Sequence, residues 1–181
     1  MKQVGYNEAF VSGIEQILKT ERIESLTDLA FSKEAEVSLL YPTDDYFLTE
    51  EQFSAIVTLL SVGERLYVMQ LGENDDLSAM NRVVYEFCAP FSYEEYRTLD
   101  FYSMSILFSS RNHWVMVIDE SLRGGIGVLA GDSEIVRLFE AHYGKTKRDI
   151  CALAMFFAED AARNENALSY MKSLLGMMKG E

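Results

Sequence analysis

The longest concentration of apolar positions lies in residues 101–131, which read FYSMSILFSS, RNHWVMVIDE and SLRGGIGVLAG. Runs rich in Ile, Val, Phe and Trp, each bounded by turn-forming residues, predict three strands over 104–109, 113–118 and 125–129. Arg111-Asn112 is short enough for a hairpin turn, and residues 121–124 supply a longer turn containing glycine. Links this short favour antiparallel neighbours, because a parallel crossover needs about a dozen residues or more.

The same reading extends to the rest of the chain. Phe10, Ile14, Ile17 and Leu18 share one helical face over 7–19, and Asn7 is placed to cap it. A second short helix is expected over 20–32. Residues 37–41 read as a strand stopped by Pro42, and 42–45 as a turn. Thr49-Glu50-Glu51-Gln52 fits a capping box that opens a helix through Phe53, Ile56, Val57 and Leu60, with Gly63 after its end. Residues 65–71 alternate as a strand. Residues 78–88 fit either a strand, through Val83-Val84-Tyr85, or a helix, through Leu77, Met80, Val84 and Phe87. Ser92 with Glu95 predicts a short helix over 92–99. Asp132 is placed to cap a helix over 133–143 that buries Ile135, Val136, Leu138, Phe139 and Tyr143 and closes at Gly144. Thr146 is placed to cap the next helix, through Ile150, Leu153, Ala154 and Phe157. A break near 164–166 precedes a last helix carrying Leu168, Met171, Leu174, Leu175 and Met178. Met155, Met171, Met177 and Met178 read as core fillers. The expected architecture is a single α+β domain over 1–181. It has an antiparallel or mixed sheet of about five strands, helices packed on it, and a helical C-terminal third.

Composition narrows the classes. Hydrophobic residues make up 49% of 181, enough for one substantial core. The longest apolar run, 150–158, is far shorter than the roughly 20 residues of a membrane-spanning helix. The N-terminus carries no apolar segment followed by a cleavage site, so no secretory signal is expected. Two cysteines, Cys88 and Cys151, predict reduced thiols in a cytoplasmic setting. The net charge of −13 is uneven: residues 35–100 hold thirteen acids against three bases, and the remaining residues are nearly balanced. Such a chain is expected to avoid nucleic-acid phosphates and anionic membranes and to suit a basic partner.

Few residues carry recognisable chemistry. Gly125-Ile126-Gly127-Val128-Leu129-Ala130 has the spacing of a dinucleotide fingerprint, but the glycines fall within a strand instead of opening a helix. Their structural reading is a turn at Gly124 and Gly125 and a close chain approach at Gly127. His113 and His142 have no second ligand at metal-binding spacing, and Cys151 with His142 makes a weak thiol–imidazole pair across two helices. The acids around 72–76 lack the ligand pattern of a calcium loop. No cofactor or metal is expected. Tyr93, Tyr96, Phe101 and Tyr102, with Trp114 nearby, suit either a sheet-covering core or a binding surface.

No nucleophile, base and anion hole fall together, so a non-catalytic binding module is the leading expectation. It resembles immunity or inhibitor proteins only in class, as a small acidic α+β protein that neutralises a basic protein. The expected partner-binding residues are Asp44, Asp45, Glu73, Asp75, Asp76, Tyr93 and Tyr96. The two loops would form one patch if the strands preceding them are neighbours running the same way. A small enzyme or ligand-binding domain with a pocket near the central strands is the alternative, and a homo-oligomeric subunit the third class. Trp114, in the most apolar strand, is expected to be buried. Trp114→Ala should then cost about 3–5 kcal/mol in denaturant unfolding. A loss under about 1 kcal/mol would place it on the surface.

Overall fold

A computed structural model of the chain describes residues 1–19, 26, 30–71, 82–120, 124–161, 169–170, 172–174 and 176. Seven strands form one sheet: β1 (Lys2–Gly5), β2 (Glu36–Leu40), β3 (Leu66–Gln70), β4 (Val83–Phe87), β5 (Ser105–Ser109), β6 (Trp114–Asp119) and β7 (Ile126–Gly131). Five helices accompany them among the described residues: α1 (Glu8–Ile17), α2 (Glu50–Val57), α3 (Tyr93–Arg97), α4 (Ser133–Tyr143) and α5 (Thr146–Ala161). The strand order is β1-β4-β3-β5-β6-β7-β2, and every neighbouring pair is antiparallel. The fold is α+β, as expected, with a larger sheet than the five strands anticipated.

The expected central hairpins appear as β5, β6 and β7. All of their residues are buried, which explains apolar runs without alternation. A strand buried on both sides needs a layer over each face. One face packs Ile14 and Ile17 of α1 and Leu153 and Phe157 of α5 against Tyr67, Ile106, Phe108, Val115 and Val117. The other packs Phe53 and Ile56 of α2, Tyr96 of α3 and Phe139 of α4 against Val68, Leu107, Trp114, Met116 and Leu129. Trp114 is 1% exposed, as its strand position predicts.

Two strands account for the difference in count. Within the ambiguous stretch 78–88, Val83–Phe87 form β4 and find partners on both sides, while residues 78–81 lie outside the described residues. β1 has only one large apolar residue, Val4, and exists by pairing with β4 at the sheet edge. The opposite edge, β2, packs against α4 and α5. Local capping follows the sequence at Asn7, Thr49 and Ser92: each side chain accepts first-turn amides, and Thr49 with Gln52 completes its capping box. Gly144 closes α4 at φ 65°. The C-terminal third also contains β7, so it is only partly helical. Leu138 and Met155 turn out exposed, at 40% and 67%, because they lie away from the stripes that face the sheet. The helix expected over 20–32 and the break at 164–166 fall largely or wholly outside the described residues. No helix among the described residues is long and apolar enough to cross a membrane.

A buried polar network ties β2 to α2, α4 and α5. The Tyr41 N–H donates to Asp149 Oδ2 at 3.2 Å, and Gln52 Nε2 donates to Pro42 O and to Tyr143 Oη. The Tyr143 hydroxyl in turn bonds Asp149, and burial pushes that phenol up to about 12. Burial also raises the Asp149 carboxyl, outweighing the lowering by Tyr41, Tyr143, Arg148 and Lys145. The folded state therefore holds this proton more tightly than the unfolded chain. Its contribution to stability is full below the unfolded carboxyl pKa and is lost as pH rises through the raised folded value. Asp149→Asn, which never ionises, should gain on the parent in melting temperature as pH rises from acid to neutral. A constant difference across that range would contradict the assignment.

Candidate partner-binding surface at one end of the sheet

The alternation of strand direction sorts the connections between two ends of the sheet. Segments 41–49 and 98–104, with Leu71, Arg82 and residues 119–120 and 124–125, meet at the end where β2, β3 and β6 finish. Among these described residues five carboxylates (Asp44, Asp45, Asp100, Asp119 and Glu120) stand against one arginine, Arg82. Segments 30–35, 58–65, 88–92 and 110–113 and Asp132 meet at the other end. There three carboxylates face three bases and His113. The uneven charge along the chain thus becomes an uneven charge across the molecule.

The acid-bearing segment after β2 is tightly built. Asp44 and Phe47 exchange backbone hydrogen bonds of 2.8 and 3.0 Å around Asp45, whose φ of 55° is left-handed. Thr43 Oγ1 donates to Asp45 O, and the Thr43 N–H to Gly125 O. Gly125 is required at this crossing: a Cβ there would lie 2.2 Å from Thr43 Oγ1 and 2.6 Å from Asp45 O. The fingerprint-like glycines therefore admit a passing loop, the close approach being at Gly125. Ser105 Oγ, at the start of β5, donates to Tyr46 O at 2.8 Å. The segment thus crosses from the β2 edge to the middle of the sheet.

Tyr93 and Tyr96 support this loop. The Leu48 N–H donates to Tyr96 Oη at 3.0 Å, and the Tyr93 hydroxyl donates to Leu48 O at 3.2 Å. Tyr96 is fully buried, which raises its phenol pKa, so it acts on the surface only from beneath. Tyr93 is half-buried. Arg97, one turn on from Tyr93, reaches Asp44 Oδ2 at 3.1 Å and stands 4.5 Å over the Phe47 ring.

Asp44, Asp45, Asp100 and Glu120 are exposed at this end, and Tyr102 beside them is 77% exposed. Their field is felt by Tyr46: burial raises its phenol first, and Glu120, Asp119 and Asp45 raise it further. Glu73, Asp75 and Asp76 belong to the β3–β4 connection and lie outside the described residues. β2 and β3 do run the same way, as the single-patch expectation requires, but they are not neighbours. β7, β6 and β5 stand between them, a span of roughly 19 Å at the usual strand spacing. The crossing of 41–49 shortens that gap. Asp100 and Glu120 were not singled out by the sequence; their only signal was membership of short connections, whereas Tyr102 belongs to the aromatic run read there as core or binding surface.

The other candidates lie elsewhere. His142 and Cys151 are exposed on α4 and α5, and Cys88 is exposed after β4. No group of acids, histidines and cysteines suited to a metal occurs among the described residues. His113 Nδ1 lies 3.1 Å from Asp132 Oδ2 at the opposite end, beside two grooves. Comparison with known protein families, curated proteins and solved structures finds no match.

If Tyr96 fixes the acid loop, Tyr96→Phe leaves the buried Leu48 amide without its acceptor. A loss of about 1–3 kcal/mol in unfolding free energy is expected, with faster hydrogen exchange at the Leu48 amide. Unchanged exchange there would show that the hydroxyl does not hold the loop.

Proposed function

We propose that this chain is a non-catalytic binding module that engages a basic partner protein through the acidic end of its sheet, in the manner of an immunity or inhibitor protein. The observation that carries this reading is the charge asymmetry between the two ends among the described residues, five carboxylates against one arginine at one and near balance at the other. Clustered carboxylates steer a basic partner during encounter and raise its association rate. Exposed Tyr102 and half-buried Tyr46 and Phe101 add flat rings next to those charges, which suit lysine and arginine side chains. The hydrogen bonds across 43–48 hold the acid loop in place before a partner arrives, which lowers the ordering cost of binding.

The rival reading, a small enzyme, finds its best support in the His113–Asp132 pair. A carboxylate that orients an imidazole is half of a general-base arrangement. Among the described residues, no hydroxyl or thiol is hydrogen-bonded to His113, and the pair stands without a nucleophile.

The test combines Asp44→Lys, Asp100→Lys and Glu120→Lys, leaving Asp45 in place because its left-handed backbone favours Asp, Asn or Gly. These sites are exposed, so the fold should survive with changes under about 0.5 kcal/mol each. A basic protein captured from cells of the source at low salt should associate at least about tenfold more slowly with the triple variant, and with a weaker salt dependence. Unchanged association kinetics would remove the acidic end from the interface.

A further inference from the structure

The acid loop already holds a cationic side chain of this same chain. Arg97 Nη2 lies 3.1 Å from Asp44 Oδ2, and Arg97 Nη1 reaches the Asp44 backbone O at 3.5 Å. The guanidinium carbon stands 4.5 Å over the Phe47 ring. Two different nitrogens therefore meet two oxygens of one residue while the group covers a ring. Such a niche suits a guanidinium, a planar cation with a fork of donors. An ammonium is a compact point charge and cannot meet the carboxylate, the carbonyl and the ring face together.

The walls of the niche and its occupant are held differently. Asp44 and Phe47 exchange backbone hydrogen bonds, and both backbone groups of Leu48 are fixed by Tyr96 and Tyr93. The Phe47 ring stacks on Phe101 with centroids 5.5 Å apart and meets Tyr96 edge-on at 5.3 Å. The occupant is a long side chain on α3, a helix of five residues. The side chains of Arg97 and Asp44 are 35% and 47% exposed, within reach of other cations. An ion pair this exposed holds weakly. A second guanidinium entering the niche makes the same contacts as the one it displaces, so the exchange sacrifices little. Asp45 beside Asp44 and Asp100 three residues beyond Arg97 are exposed carboxylates that attract an incoming cation. We infer that the Asp44–Phe47 niche is an arginine-binding subsite, filled by Arg97 in the free chain, and that the basic partner enters it with an arginine side chain that displaces Arg97. The subsite rests on the partner-binding reading and narrows the partner to one that presents an arginine. Arg97 is then a competitor built into the surface.

Fluorescein-labelled hexa-arginine and hexa-lysine amides carry equal charge and serve as probes. Each would be titrated at low salt against the full chain and its variants, followed by anisotropy. Arg97→Lys keeps the net charge and removes the fork. Its affinity for hexa-arginine relative to hexa-lysine should rise roughly threefold over the parent, the scale of an exposed cation–π contact. Arg97→Gln, which also loses the charge, should bind both peptides more tightly and show the same rise in ratio. Adding Asp44→Asn to Arg97→Lys should return the ratio to the parental value. A ratio unchanged in both Arg97 variants, or a raised ratio that survives Asp44→Asn, would overturn the subsite. An unchanged ratio with the captured partner still slowed by charge reversal strikes the arginine subsite alone. A raised ratio with partner kinetics indifferent to charge reversal upholds the niche and strikes the partner reading.

Discussion

Burial of β5, β6 and β7 on both faces is the constraint from which the rest of the molecule follows. Seventeen buried positions on three adjacent strands, with no exposed side, cannot be covered by one helix layer. The chain therefore sends α1 and α5 to one face and α2, α3 and α4 to the other. Each fully buried Val, Leu, Ile or Phe contributes about 1.5–3 kcal/mol of transfer free energy, so the sheet interior dominates the favourable side of folding. Apolar side chains thus dominate both faces of these three strands, and the connections between strands meet water at the two ends of the sheet.

The two ends are built differently. At the acidic end the charges ride on a loop whose backbone is held from beneath by Tyr93, Tyr96 and Ser105 and passes over Gly125. At the other end the β5–β6 turn is wedged between Gly13 and Gly131, and the carboxylate that stands ready to cap α4 bonds a histidine instead. Both cases place exposed charged groups on rigid supports, the arrangement that makes recognition by loops specific.

Much of this fold is legible in the sequence, for reasons that differ by element. β5 to β7 announce themselves because continuous apolar runs between turn residues fit little else. Thr49 and Gln52 predict their own contacts because a capping box is closed within four residues. β1 is illegible because Lys-Gln-Val-Gly has no pattern of its own and depends on β4 for its register. Asp132 is predicted as a helix cap by local chemistry, and a tertiary partner 19 residues earlier takes its carboxylate. Tyr96 is visible as an aromatic near the central strands, but nothing local shows that its hydroxyl accepts from Leu48, 48 residues away. The acidity of residues 35–100 is plain in composition. The placement of Asp44, Asp45 and Asp100 at one end needs the strand order, which decides which connections share an end.

The central claim, that the acidic end is the recognition surface, is most directly tested by hydrogen exchange of the chain with and without its captured basic partner. The account predicts slowed exchange on complex formation in residues 41–49 and 98–104, with residues 110–113 unchanged. Protection confined to 110–113 and the first turn of α4, with the acidic connections exchanging as in the free chain, would contradict it.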